Sequence, residues 1–319
     1  ITGVDAFKFI EKLTSRDMSK CKVGQCKYGL FLDSEAGILA DPIILRLEEK
    51  KFWISTSDSD LELWIKGVQI NSGLQVAIRD ANVSLLQVQG PKSSALMAKI
   101  FGEKILDLKY YWFGKFEFRG LELLVSRTGW SGELGYEVYL QDHSKGSFLF
   151  EQLMIEGKEL PILPGSVNHS RRIEAGILSW GVDMTSNETP YEVGLGRLVE
   201  LETTSDFIGK GAALKLSKQR PKRSLIGFKI DGDPLKPNET PWKLFFRNEL
   251  VGSMTSLAYS PRLKCNIGFA LVDSNHTGIG TQLIIEGYGL THRAEVVPTP
   301  FIEKKQLADA KKLAFKNKF

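Results

Sequence analysis

Ser126-Arg-Thr-Gly-Trp-Ser-Gly-Glu-Leu-Gly-Tyr-Glu-Val-Tyr-Leu140 is the stretch on which the fold turns. Its glycines at 129, 132 and 135 permit backbone turns that other residues resist. The flanks, 121–127 and 136–140, have the β-branched and aromatic texture of strands. In the second flank Glu137 and Tyr139 are two apart, so they face the same side. A carboxylate placed there accepts two parallel hydrogen bonds from the planar edge of a heterocycle. Trp130 and Tyr139 offer flat walls for a ring. The run lacks the Lys-Ser/Thr of a phosphate loop. A plain glycine-rich hairpin, with its acid in water and its aromatics in the core, fits the same residues equally.

Outward from this turn, the first two-thirds of the chain alternates strands and helices. Phe52-Trp-Ile-Ser-Thr is β-rich and ends at Ser57-Asp58, residues suited to cap a helix. Leu61, Trp64, Ile65 and Val68 then recur at i, i+3, i+4 and i+7, one buried helical face. Stretches 76–80 and 85–89 read as strands, and Gly90-Pro91 opens a helix to about 101. Stretches 144–157 and 170–180 read as helices, and a last one ends near 218. After the linker Gln219-Arg-Pro-Lys-Arg223 the texture changes to short strands punctuated by Gly, Pro and Asn, the pattern of a small barrel or sandwich. The expected class is α+β, with an α/β region over 1–218, a β-barrel over 222–303 and a basic tail over 304–319.

Composition narrows the function. Hydrophobic residues are 42% and charged residues 25% of the 319, which excludes a disordered or fibrous chain. No apolar run approaches the roughly 20 residues of a membrane span. Cys21, Cys26 and Cys265 are too few for a disulfide framework or a four-thiolate metal site, so no metal is expected and a reducing cytoplasm is. The net charge of +4 comes from the tail. Without its six lysines and one acid, 36 basic side chains face 37 acidic ones. That speaks against a nucleic-acid-binding face. Leu307, Ala310 and Ala314 make a short stripe there, read as a frayed, solvated helix. The start, Ile1-Thr-Gly-Val-Asp-Ala-Phe-Lys-Phe-Ile, has no initiator Met or signal segment and reads as a fragment missing its first strands.

The glycine-rich stretch resembles the R-T-G-[YW]-[TS]-G-E-x-G-[YF]-E motif of the glycine-cleavage T-protein (aminomethyltransferase) superfamily. Arg172-Ile-Glu-Ala-Gly176 is similar to its R-L-E-A-G helix, and Asp206-Phe-Ile-Gly-Lys210 to its D-F-I-G-[KR] segment. Within the superfamily, Arg16–Tyr28, Asp41-Pro42, Pro190-Tyr-Glu-Val-Gly-Leu195 and Tyr259-Ser-Pro-Arg-Leu-Lys264 look like the branch that demethylates dimethylsulfoniopropionate (DMSP). Aminomethyltransferases usually show an Asp-Asp pair where this chain has Ala40-Asp41.

The resemblance implies a folate-binding α/β region followed by a C-terminal barrel. It implies tetrahydrofolate as methyl acceptor, with Tyr28, Trp130, Glu137 and Tyr139 around it. Asp41 is the implied catalytic carboxylate, and Trp130, Tyr139 and Trp180 the implied substrate walls. Arg262 is a candidate for the folate glutamate tail. The blander roles stay open: Tyr28 ending a strand, Asp41-Pro42 as a turn, Trp180 filling core. The expected reaction moves the S-methyl group of DMSP to N5 of tetrahydrofolate. Glycine, sarcosine or dimethylglycine chemistry on the same fold, and a non-catalytic folate-binding module, are the alternatives. The partners implied are a small-molecule substrate, with no nucleic acid, membrane or lipoyl carrier protein, and a homodimer as the assembly to test for.

Overall fold

Ala6, Phe9, Ile10 and Leu13 lie on one side of the first helix, and all four are fully buried. That amphipathic spacing seats α1 (Ala6–Leu13) on a first layer. The layer holds β1 (Cys26–Tyr28), β2 (Phe31–Leu32), β3 (Ile38–Ala40), β4 (Ile43–Glu48), β5 (Lys51–Ser55) and α2 (Leu61–Ile70). Its strands pair antiparallel in the order β1-β4-β5, with β2-β3 as a separate ribbon. Leu61 and Ile65 bury the expected face of α2, with Trp64 and Val68 packed beside them. The computed structural model describes every residue except 57–59, 161, 167, 204 and 317–319. The cap expected from Ser57-Asp58 therefore lies outside the described residues.

The second layer contains β6 (Ser84–Gln89), α3 (Ser93–Phe101), β7 (Phe113–Phe118), β8 (Leu121–Ser126), β9 (Gly135–Leu140) and α4 (Gly146–Glu156). Its antiparallel sheet has the order β6-β9-β8-β7. Tyr136, Val138 and Leu140 point into the core with α3 and α4, so Glu137 and Tyr139 point the other way, toward β1 and β4. Next come α5 (His169–Glu174) and α6 (Lys210–Leu216), joined by an irregular segment that bonds back to the first layer at Ser15 and Lys12. The helix expected over 170–180 is only α5, because Gly176 at φ +65 ends it. The strand expected over 76–80 is a single bridge between Ala77 and Thr2.

The closing element is a barrel of β10 (Arg223–Ile230), β11 (Trp242–Phe246), β12 (Glu249–Ser260), β13 (Cys265–Asp273), β14 (Gln282–Gly287) and β15 (Leu290–Val297). It closes in the order β10-β13-β12-β11-β14-β15, all antiparallel, which leaves it no free edge. Ile267 and Phe269 of β13 share one core with Leu30, Leu32, Ile173 and Phe207. The fold is thus α+β with a terminal β-barrel. No helix among the described residues is long and apolar enough to cross a membrane.

The tail corrects an expectation. It is no solvated helix: it leaves the barrel, crosses the glycine-rich turn and ends in α7 (Ala310–Lys316), which docks on α3. Ala310 and Ala314 are 2% and 5% exposed within the second-layer core, while Leu307 is exposed. Two alanines four apart let a helix approach closely, and Lys311 pairs with Asp107 at 2.7 Å to hold its outer side.

Arg172 of α5 and Asp183 form an ion pair at 2.6 Å, with side chains 1% and 0% exposed. Arg172 also donates to Ile177 O at 3.2 Å and Ser256 Oγ at 2.8 Å, and Asp183 accepts from Thr255 Oγ1 at 2.7 Å. Thr255 and Ser256 belong to β12, so the pair ties the barrel to α5. Removing one partner strands a buried charge, typically a loss of about 3–5 kcal/mol. Asp183→Ala is expected to lose that much in urea denaturation, and Arg172→Met with Asp183→Leu to lose clearly less. Equal losses would show that packing, not charge, carries the junction.

Candidate functional site

The turn between β8 and β9 is built by its glycines. Gly132 sits at φ +73 with Ala175 against it, where a Cβ would come within 2.3 Å. Gly129 and Gly135 flank the Gln89 amide, with no room for a Cβ. Gln89 donates to Thr128 O at 3.2 Å and Tyr136 O at 3.3 Å, and Ser131 Oγ donates to its Oε1 at 2.6 Å. The turn therefore holds Trp130 in one place, half-buried. The Arg172 guanidinium lies 5.4 Å from the Trp130 ring centre, and His169 meets the ring edge-on at 6.3 Å. One face of Trp130 already carries a cation.

Glu137 is in the middle of its sheet, opposite Gln87 on β6 and Ser126 on β8. Gln87 Nε2 donates to its Oε1 at 2.8 Å. Its Oε2 accepts from Thr128 Oγ1 and, at 3.3 Å, from the Tyr139 hydroxyl. Each carboxylate oxygen has two acceptor sites, so Oε1 keeps capacity for one more donor. Burial raises the Glu137 pKa against the opposing effect of these three donors. Tyr139 is 4% exposed and packs on Trp53 at 6.1 Å. It orients Glu137 by its hydroxyl, and with Trp53 and Leu85 it lines a cavity between the two layers.

Tyr28 and Asp41 come together. The Tyr28 hydroxyl donates to Asp41 Oδ2 at 2.8 Å. Burial, then the adjacent Asp41 carboxylate, push the Tyr28 phenol well above its ordinary range, so it stays a neutral donor. Both are half-buried. Trp180 packs in the core that Tyr28 borders, and its indole Nε1 donates to Ile38 O at 2.8 Å. Ala40, beside Asp41, is 1% exposed in the apolar core of the first layer.

Arg262 is a correction. It sits in the β12–β13 turn and bonds Glu133 of the glycine-rich turn, with Glu174 3.8 Å from its other nitrogen. Arg171 joins them, 3.6 Å from Glu133 and 3.7 Å from Glu174. Two acids already hold the guanidinium, so it is not a waiting anion site. The tail adds a second anchor: Lys305 N donates to Gly132 O at 2.9 Å, and Arg127 donates to Gln306 O at 3.3 Å.

Sequence reasoning missed Tyr110 and Tyr111. Their rings meet edge-on at 4.5 Å, and the Tyr110 hydroxyl donates to Gln306 Oε1 at 2.9 Å. The adjacent pair Tyr110-Tyr111 is visible in the sequence, but nothing in its spacing marks it as part of a site.

The raised Glu137 pKa has a signed consequence. Between the ordinary carboxyl value of about 4.3 and the raised native value, the native state binds more protons than the unfolded state. Stability therefore falls as pH rises through that window and is flat above it. Glu137→Gln lacks the titration. The melting temperature of the variant minus that of the wild type should grow with pH across the window, then level off. A difference that stays constant from about pH 4 to 8 would mean that Glu137 has an ordinary pKa.

The GCVT N-terminal domain matches residues 1–203, and the glycine cleavage T-protein C-terminal barrel domain matches 223–303. The chain is 35% identical over 286 residues to dimethylsulfoniopropionate demethylase DmdA of Ruegeria pomeroyi, covering 90% of this chain and 78% of that protein. It is 30% identical over 310 residues to an aminomethyltransferase of Caldanaerobacter subterraneus, covering 95% and 82%. The crystal structure of the glycine cleavage system aminomethyltransferase T from Bartonella henselae superimposes with a TM-score of 0.77 at 23% identity, over 95% of this chain and 83% of that one, a likeness of fold. The chain belongs to the glycine-cleavage T-protein family of folate-dependent methyl- and aminomethyltransferases.

Proposed function

We propose that the protein is a tetrahydrofolate-dependent methyltransferase that takes the S-methyl group of dimethylsulfoniopropionate, leaving methylthiopropionate and 5-methyltetrahydrofolate. The observation that carries this reading over aminomethyl transfer is Ala40. Where aminomethyltransferases usually place a second acid, this chain buries a methyl group in the apolar core of the first layer. Asp41 is the acid that remains at that place in the chain, and the 35% identity to the Ruegeria demethylase agrees.

The residues fit a folate. The Glu137 Oε1 atom has acceptor capacity left for a heterocycle N–H, and its other donors hold it rigid. When bound, tetrahydrofolate supplies the neutral amine nitrogen that accepts the methyl group. The chain's own residues do the rest. Glu137 fixes the heterocycle edge through charge-assisted bonds. Trp130 offers its remaining face to the sulfonium, an attraction of about 0.5–2 kcal/mol. Because Arg172 covers the opposite face, the ring holds the donor without trapping it. Asp41, steadied by the Tyr28 hydroxyl, takes the proton released as the new carbon–nitrogen bond forms. Methyl transfer from a sulfonium expels a neutral sulfide, so one carboxylate suffices. Expelling an amine from an aminomethyl group is the heavier task that a second acid serves. Most of the rate comes from alignment, worth up to roughly 7–11 kcal/mol in favourable cases.

Purified protein with the sulfonium donor and tetrahydrofolate alone should yield 5-methyltetrahydrofolate by mass spectrometry. A methylene product, or turnover only with an amine donor, would assign the protein to aminomethyl or sarcosine-type chemistry instead. Folate binding with no transfer from any donor would make it a binding module. Asp41→Asn should slow turnover more than it weakens folate binding. Glu137→Ala should weaken folate by about 2–4 kcal/mol in calorimetry, since it leaves donors unpaired.

A further inference from the structure

Two cations meet beside the site, and no acid holds either of them. Arg197 sits in a short turn, Gly196–Leu198, between α5 and α6. The backbone on its C-terminal side is pinned to the first layer: Ser15 Oγ donates to Leu198 O at 2.9 Å, and Glu200 N donates to Ser15 O at 2.9 Å. The next residue, Arg16, bonds Glu200 Oε2 at 3.1 Å and donates to Tyr28 O at 3.1 Å. Leu195 and Leu198 enter the core that Tyr28 and Trp180 border, while Arg197 is exposed. The turn thus places a guanidinium next to the Tyr28–Asp41 pair.

Lys304 arrives from the other side. It lies between two fixed points of the tail: Ile302 N donates to Glu174 O at 3.1 Å, and Lys305 N donates to Gly132 O in the turn that carries Trp130. Desolvation, then the Arg197 charge, push the Lys304 ammonium below its ordinary value. Burial raises the Tyr28 and Tyr110 phenols, and Arg197 works against that rise in both. Arg197 is therefore near Lys304, Tyr28 and Tyr110 at once. Arg262 spends its charge on Glu133 and Glu174. Arg197 and Lys304 differ: among the described residues neither side chain makes a hydrogen bond or an ion pair. Like charges brought together repel, and an anion between them turns that repulsion into two charge-assisted bonds.

We propose that Arg197 and Lys304 form a carboxylate-binding subsite for the methyl donor, which selects sulfonium donors that carry a carboxylate. This rests on the methyl-transfer reading of the site. In dimethylsulfoniopropionate two methylene groups separate the sulfonium from the carboxylate. The Trp130 turn anchors the tail beside Lys304, and Arg197 flanks the pair that holds Asp41. The cations bind the carboxylate of the donor, and its sulfonium meets Trp130. They also keep the donor's carboxylate away from Asp41, the like charge nearest the reacting nitrogen. A donor held at both ends has one orientation, with its S-methyl group toward the acceptor.

The test is steady-state kinetics of the full chain with dimethylsulfoniopropionate and tetrahydrofolate, each varied in turn. Arg197→Gln and Lys304→Gln should each raise the KM for the donor at least tenfold, with kcat and the KM for tetrahydrofolate within threefold of wild type. Arg197→Glu, which repels a carboxylate, should raise the donor KM at least threefold beyond Arg197→Gln. Lys312→Gln, on the exposed side of α7, is the control and should change nothing. A wild-type donor KM in either Gln variant overturns the proposal and leaves the methyl-transfer reading standing. A rise confined to the KM for tetrahydrofolate assigns the cations to the folate's own carboxylates and overturns it. A loss in Arg197→Glu no larger than in Arg197→Gln assigns the effect to shape and overturns it. Failure of the Gln variants to fold, read by circular dichroism, assigns both side chains to stability and also overturns it. A wild-type protein that transfers no methyl group from dimethylsulfoniopropionate overturns both readings.

Discussion

The guanidinium of Arg172 is the point from which the rest of the structure hangs. It is 1% exposed, and a charge so deep is tolerable only if its donors are met. Asp183, the Ile177 carbonyl, Ser256 and His169 Nδ1 accept four of its five N–H groups, and Ser256 lies on the barrel. The barrel cannot shift without breaking that set. The same guanidinium lies under Trp130, so the element that locks the barrel also fixes the ring nearest the proposed donor. Stability and site geometry are coupled through one side chain.

The second constraint is the crowding of β9 by its neighbours. Alternation sends Tyr136, Val138 and Leu140 into one core and leaves Glu137 and Tyr139 facing the first layer. A carboxylate there is desolvated, and its three donors compensate only in part, so its pKa stays raised. That arrangement suits an acceptor awaiting a donor edge. In the proposed function a ligand N–H is the further donor that Oε1 can accept.

Much of this was legible in the sequence, for local reasons. The shared side of Glu137 and Tyr139 follows from strand periodicity, and the sharp turn from three glycines in seven residues. The change to short, punctuated strands after 222 announced a small barrel or sandwich, and the strands close into a barrel. What was not legible depends on distant contacts. Arg262 reads as a spare cation until Glu133 and Glu174, 129 and 88 residues away in sequence, are seen beside it. The lysine-rich tail reads as solvated because charge dominates its composition, yet two alanines seat it in the core. Trp180 keeps its two readings: its ring borders the core next to Tyr28, and its one donor is spent on Ile38 O. Tyr111 was invisible because its positive φ, +62, contradicts local preference at a tyrosine, and backbone bonds to Cys26 and Arg127 hold it there.

The anchors of the glycine-rich turn differ in strength. Arg172 and Asp183 are fully buried and hold the frame. The Arg262–Glu133 pair is partly exposed, with Arg262 at 36%, so solvent screens it and its worth falls toward about 1 kcal/mol or less. The bond from Lys305 N to Gly132 O is a single backbone hydrogen bond, a net contribution of about 0.5–1.5 kcal/mol. The turn's own frame is the Gln89 amide, which bonds Thr128 O, Tyr136 O and the Ser131 hydroxyl, so the exposed contacts add to a shape that is already set. The barrel hairpin and the tail, with Arg262 and Lys305 125 and 168 residues from Glu137 in sequence, therefore supply the weaker contacts, and Arg172 with Asp183 the stronger one.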